Sequence, residues 1–84
     1  MPSPGRKKEA TSEEVSNAYL LAGRLRALRS NAQLSTAQAA DAAHLTKNHL
    51  WYLETARCVD PKLRTLRALA KLYGVRVAYL IGEE

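Results

Sequence analysis

Apolar residues in this chain recur at three- and four-residue spacings, and short polar stretches interrupt them. That period belongs to helices with one buried face. In SEEVSNAYLLAGRLRALRS, the residues Val15, Ala18, Ala22, Leu25 and Leu28 share a face. Thr11 and Glu14 match the T-x-x-E capping box, so a first helix is predicted from near Ser12 to near Asn31. Gly23 weakens it by about 1 kcal/mol relative to Ala, which leaves a break or a late start near Ala18 open. Residues 34–54, LSTAQAADAAHLTKNHLWYLE, predict two further short helices joined by a tight turn. Ser35 is the N-cap of the first, which runs to about Ala42, and Ala39, Ala40 and Ala43 permit close helix approach. His44 falls in the turn. Thr46 caps the next helix, about Lys47 to Thr55, with Leu50 and Leu53 inward and Lys47, Asn48, Trp51 and Tyr52 outward.

After a short loop, Ala56 to Val59, Asp60 and Pro61 read as N-cap and first helical residue of a fourth helix. Its predicted buried stripe is Leu63, Leu66, Leu69, Ala70 and Tyr73, with Arg64, Arg67 and Lys71 on the other face and Gly74 closing the end. VRVAYLI supplies a last turn or two of helix, because no second strand exists to pair with it. The expected fold is an all-α, compact five-helix bundle over residues 12–84. Residues 1–11, which contain Arg6-Lys7-Lys8 among Pro and Gly, are expected to form a flexible basic arm.

Composition narrows the function classes. With 84 residues, one domain is the default, and 46% hydrophobic residues fit a folded chain rather than a disordered one. Phe is absent, so the core must come from Leu, Ala and Val, which suits helices. The net charge is +5, and it is unevenly spread. Between Ala18 and Arg76 the only acids are Asp41, Glu54 and Asp60, whereas Glu9, Glu13, Glu14, Glu83 and Glu84 sit at the ends. A basic middle favours a polyanion partner, and the plain alternative is a solvated basic surface. Cys58 stands alone, which excludes an internal disulfide and points weakly to a reducing compartment. No apolar run approaches a membrane span and no hydrophobic segment follows the basic residues of the N-terminus, so the chain reads as cytoplasmic. No nucleophile–base set appears, and His44 with His49 has no metal-ligand spacing. An enzyme, a metal and a cofactor are therefore not expected.

The paired short helices have the form of a helix-turn-helix. Taken with the flanking segments, the chain resembles the phage repressor/Cro-type helix-turn-helix family, also called the xenobiotic response element family, over about Leu21 to Ile81. The resemblance rests on an ordered set. It comprises L-R-x-L-R at Leu25 to Arg29, Ser35, Ala40, the Thr46 cap, Leu53-Glu54, Pro61, and L-x-x-L-x-x-L-A-K-L-Y-G-V from Leu63 to Val75. The chain departs from the family pattern at Thr36, where Gln is frequent, and at Ala39, where Leu is usual. It departs again at His44 and Ala56, where Gly is usual. The last two put the loop geometries in question.

The resemblance implies a transcriptional regulator of double-stranded DNA, a repressor or Cro-like switch protein that occupies an operator as a homodimer and is nucleoid-associated when bound. The alternative from another class is an antitoxin-like module that uses the same fold to hold a protein partner. Lys47 and Asn48 occupy positions where relatives read bases, with Trp51 and Tyr52 beside them. Lys can donate to guanine and Asn can bond adenine bidentately. Trp51 either touches thymine methyls or folds back on the fourth helix or its loop. Tyr52 either meets a phosphate or packs on Arg57. Ser35 and Thr36 at a helix N-terminus, with Arg57 and Lys62 in the following loop, are the phosphate candidates. Arg29 and Glu54 match an interior ion pair of the family. At the end of the chain, Tyr79 and Ile81 are the candidate dimer contacts, unless they too serve the monomer core.

Overall fold

The structure, a computed structural model, describes residues 10–83. The basic arm therefore lies outside the described residues, apart from Ala10 and Thr11. Five helices follow in order: α1 (Ser12–Asn31), α2 (Thr36–Ala42), α3 (Lys47–Glu54), α4 (Leu63–Tyr73) and α5 (Val77–Leu80). No strand occurs among the described residues. The expected all-α five-helix bundle is the observed fold.

Local chemistry accounts for most helix starts. The Glu14 N–H donates to Thr11 Oγ1 at 3.1 Å and the Thr11 N–H donates to Glu14 Oε1 at 2.9 Å, a complete capping box. α1 then runs unbroken through Gly23, so neither the break nor the late start occurs. Ser35 and Gln38 form a second capping box at α2. Thr46 Oγ1 accepts from the His49 N–H at 3.0 Å and starts α3. Gly74, at φ 68°, ends α4 in the left-handed conformation that glycine adopts without cost.

The core gathers Leu21 and Leu25 of α1, Ala39, Ala40 and Ala43 at α2, and Leu50 and Leu53 of α3. Leu66, Leu69 and Ala70 of α4 and Leu80 of α5 complete it. Alanines on α2 let its backbone approach α3 closely, which sets the spacing of the helix pair. At the far end, Gly82 leaves room for Leu20, since a Cβ there would overlap Leu20 Cδ2.

Three expectations fail here. Helix α4 does not begin at Asp60-Pro61. Lys62 is its N-cap, with no side-chain hydrogen bond, and the first helical residue is Leu63. The chain from Thr55 to Lys62 is needed to cross from the end of α3 to α4. Pro61 is half-buried and, with Ala18, Leu21, Leu66 and Ile81, lines a cavity of about 240 Å³. Leu63 is not part of the buried stripe: it is 53% exposed in the first turn, and Thr65 takes an inward place instead. Val15 is likewise exposed, because burial along α1 starts only at Ala18, and Leu21 joins the stripe.

Tyr73 carries the one buried side-chain polar atom among the described residues that lacks a hydrogen-bond partner, its hydroxyl. Burial pushes its phenol above the ordinary value, the Glu54 charge pushes the same way, and Arg29 opposes them. A raised phenol means that the folded state keeps the proton longer than the unfolded chain. This contribution is complete below the unfolded value of about pH 10 and is lost as pH rises through the folded value. Tyr73→Phe removes both the unpaired hydroxyl and the titration. Urea unfolding at neutral pH is expected to show stability unchanged or raised by up to about 1 kcal/mol. The advantage of the variant over wild type should grow above about pH 10. A loss of stability at neutral pH would mean that the hydroxyl has a partner.

Candidate nucleic-acid interface

α2 and α3 pack on each other across a turn made by Ala43, His44 and Leu45. His44 takes φ 59°, and its N–H donates to Asp41 O at 3.1 Å, while the Leu45 N–H donates to Ala40 O at 2.8 Å. His is among the non-glycine residues that tolerate this region, so the turn forms without the usual glycine. From Thr46 onward, α3 divides sharply into two faces. Leu50, Leu53 and Glu54 are buried, whereas Lys47, Asn48, Trp51 and Tyr52 are exposed. The exposed four lie along one side of α3, and a duplex major groove is wide enough to admit a helix.

Glu54 holds the other end of α3. Arg29 Nε lies 2.9 Å from Glu54 Oε2 and 3.1 Å from Oε1, and Arg29 Nη2 donates to Oε1 at 3.0 Å. Arg29 Nη1 donates to Leu34 O at 3.2 Å, so the same guanidinium also ties down the connection into α2. The carboxylate is almost wholly buried (6% exposed), and hydrogen bonding to it raises the Arg29 guanidinium above its usual range against the opposing cost of burial. This pair joins residues 25 positions apart and sets how α3 projects.

A family described as a helix-turn-helix domain matches residues 20–79. The chain belongs to the helix-turn-helix domain family. It is similar to the immunity repressor protein of Bacillus phage phi105, with 36% identity over 61 residues. That alignment covers 73% of this chain and 42% of the phage protein, so the chain spans less than half of that relative's length. The matched region is a helix-turn-helix DNA-binding domain that takes in most of the chain. Among the described residues, no helix is long and apolar enough to cross a membrane.

The other candidate positions surround α3 of this helix-turn-helix unequally. Ser35 is exposed and Thr36 half-buried at the start of α2. Ser35 is already engaged locally: its Oγ accepts from the Gln38 N–H at 3.0 Å, and its own N–H donates to Gln38 Oε1 at 2.8 Å. Arg57 and Lys62 are exposed at the two ends of the loop after α3. Lys62 borders an open groove of about 700 Å³ that runs past Thr46, His49 and Cys58. No group of three or more His, Cys, Asp and Glu among the described residues is placed to hold a metal ion. Tyr79 and Ile81 are half-buried against the core. The Arg24 guanidinium lies 4.2 Å from the Tyr79 ring centroid and also donates to Tyr79 O, so only part of that ring is open.

Two side-chain contacts bear on the readings left open for Trp51 and Tyr52. Arg57 packs on Trp51, with its guanidinium 5.0 Å from the ring centroid. Trp51 and Tyr52 meet edge to face at 5.4 Å and 61°. Trp51 stays 45% exposed, and the chain after α3 comes to its ring. The signal that was available is Ala56, where the family has glycine. It takes φ 61° and turns the chain back, so that the Arg57 N–H donates to Tyr52 O at 2.9 Å.

Arg29→Ala is expected to cost about 3–5 kcal/mol of unfolding free energy, because the buried Glu54 carboxylate is left without its partner. Replacing both with apolar residues of similar volume (Arg29→Met with Glu54→Leu) should cost clearly less. Urea unfolding of the single and double variants measures this. Single and double losses of equal size would show that the charges contribute nothing beyond packing.

Proposed function

We propose that this chain occupies an operator in double-stranded DNA and represses transcription, working as a two-fold dimer. The observation that carries this reading is the exposed polar side of α3 at Lys47 and Asn48, backed by buried Leu50, Leu53 and Glu54. Lys47 donates to guanine O6 and N7, and Asn48 bonds adenine through its amide, the pairings their geometries favour. Trp51 and Tyr52 complete the same face. Ser35, Thr36, Arg57 and Lys62 take phosphates on either side, which fixes register without choosing sequence. The net basic surface between Ala18 and Arg76 supports the same partner.

Repression is supported by similarity to the phage immunity repressor, which is so named. A dimer follows from the small reading surface, since one helix of this size covers about half of a typical site. Tyr79 and Ile81 on the last turn are its contacts. Residues 12–84 act as the DNA-binding domain and residues 1–11 as a basic arm adding charge. The site of action is the bacterial nucleoid.

Selection of duplexes from a random pool is expected to yield a two-fold symmetric site. With about five phosphate contacts per protomer, log K should fall against log salt with a slope of roughly −4 to −5 per protomer. A flat salt response would end the DNA reading. Equilibrium sedimentation that finds only monomer at high micromolar concentration would remove the preformed dimer.

A further inference from the structure

We infer that Trp51 is a seat for Arg57, and that the two form one phosphate clamp at the end of α3 rather than a base reader and a separate loop cation. This rests on the operator-binding reading above.

Four observations converge on it. The Arg57 backbone is anchored by its N–H to Tyr52 O at 2.9 Å, after the reversal at Ala56. The Thr55 hydroxyl donates to Trp51 O at 2.7 Å, which ties the same loop to the same turn of α3. The Arg57 guanidinium lies over the indole at 5.0 Å, within cation–π range. Finally, Arg57 is exposed, and no hydrogen bond or ion pair engages its guanidinium among the described residues.

A free arginine loses side-chain entropy when it grips an anion. An arginine already held against a ring loses less, and its N–H edge is left open for a planar, two-pronged grip on phosphate oxygens. The indole face that Arg57 occupies is closed to a thymine methyl, and the Tyr52 ring lies against the indole at 5.4 Å. Trp51 is thus a positioning residue that sets affinity, while Lys47 and Asn48 set the choice of bases.

The test uses the full chain, a duplex selected by the wild-type protein, and a panel of that duplex with single base-pair changes. Arg57→Ala should weaken binding about tenfold on every duplex of the panel, the scale of a hydrogen bond to a charged group. It should also reduce the magnitude of the salt slope by about one. Trp51→Ala should reproduce most of both effects, and the double variant should bind no worse than Arg57→Ala. Trp51→Phe keeps a ring face and should recover most of the affinity. Arg57 is exposed, so Arg57→Ala should melt near wild type, and Trp51→Ala, which loses the covered half of the indole, is read well below its own melting temperature. In the free protein, Trp51 is the sole tryptophan, and Arg57→Ala should shift its emission to the red as the ring face meets water.

Additive losses, a Trp51→Ala variant with altered base preference, or failure of Trp51→Phe to recover affinity would each overturn the clamp while leaving DNA binding intact. A wild-type chain that binds no duplex would instead remove the operator reading, and the clamp with it.

Discussion

The ion pair between Arg29 and Glu54 is the constraint on which the geometry of the interface depends. It closes the C-terminal end of α3 onto the C-terminal end of α1, and through Leu34 O it also fastens the entry to α2. Helix α3 has only eight residues and cannot hold a direction by its own hydrogen bonds. Its direction comes from Leu50 and Leu53 in the core and from this charge pair at its end. Apolar burial alone resists sliding weakly, because leucines pack in many arrangements of similar energy. A buried carboxylate accepts far fewer, since it must keep its guanidinium. The pair therefore need not add net stability to matter. It selects one placement of the face that carries Lys47 and Asn48.

The turns before α2 and on both sides of α3 are made under a small strain. Gln33, His44 and Ala56 all adopt φ near 60° without being glycine, at roughly 1–2 kcal/mol each for a residue with a Cβ. Each is stabilised by backbone hydrogen bonds that close the adjacent helix end, such as the Leu34 N–H to Arg29 O at 3.2 Å. The conformation is imposed by the packing on both sides of the turn. At Ala56 the strained residue lies immediately before Arg57, so the loop's shape and the seating of Arg57 on Trp51 have one origin.

Much of this was legible in the chain. The caps at Thr11, Ser35 and Thr46 and the end at Gly74 are local: the residues that matter are within a few positions of one another, and their hydrogen bonds are short-range. The division of α3 into two faces follows from spacing alone. Arg29 with Glu54 was legible only through family resemblance, because nothing in either neighbourhood specifies a partner 25 positions away. The start of α4 was misread since Asp60-Pro61 satisfies every local rule for a helix start. The distance from the end of α3 is a tertiary quantity and it prevailed. Leu63 and Val15 failed for a related reason: periodicity tells which face a residue is on, and says nothing of how far along the helix the core extends. The contact of Arg57 with Trp51 depends on loop course and is marked only indirectly, by Ala56 at a glycine position, and no pattern in the sequence marks the contact of Arg24 with Tyr79.

Where a duplex meets the molecule is the central claim, and an NMR titration of the labelled chain with a selected duplex tests it most directly. The account predicts that signals of Lys47, Asn48, Trp51 and Tyr52 move first and furthest, followed by those of Thr36 and Arg57. The outer face of α1, at Val15 and Tyr19, should stay unperturbed. Shifts centred on Val15, Tyr19 and Leu63, with α3 unmoved, would contradict it.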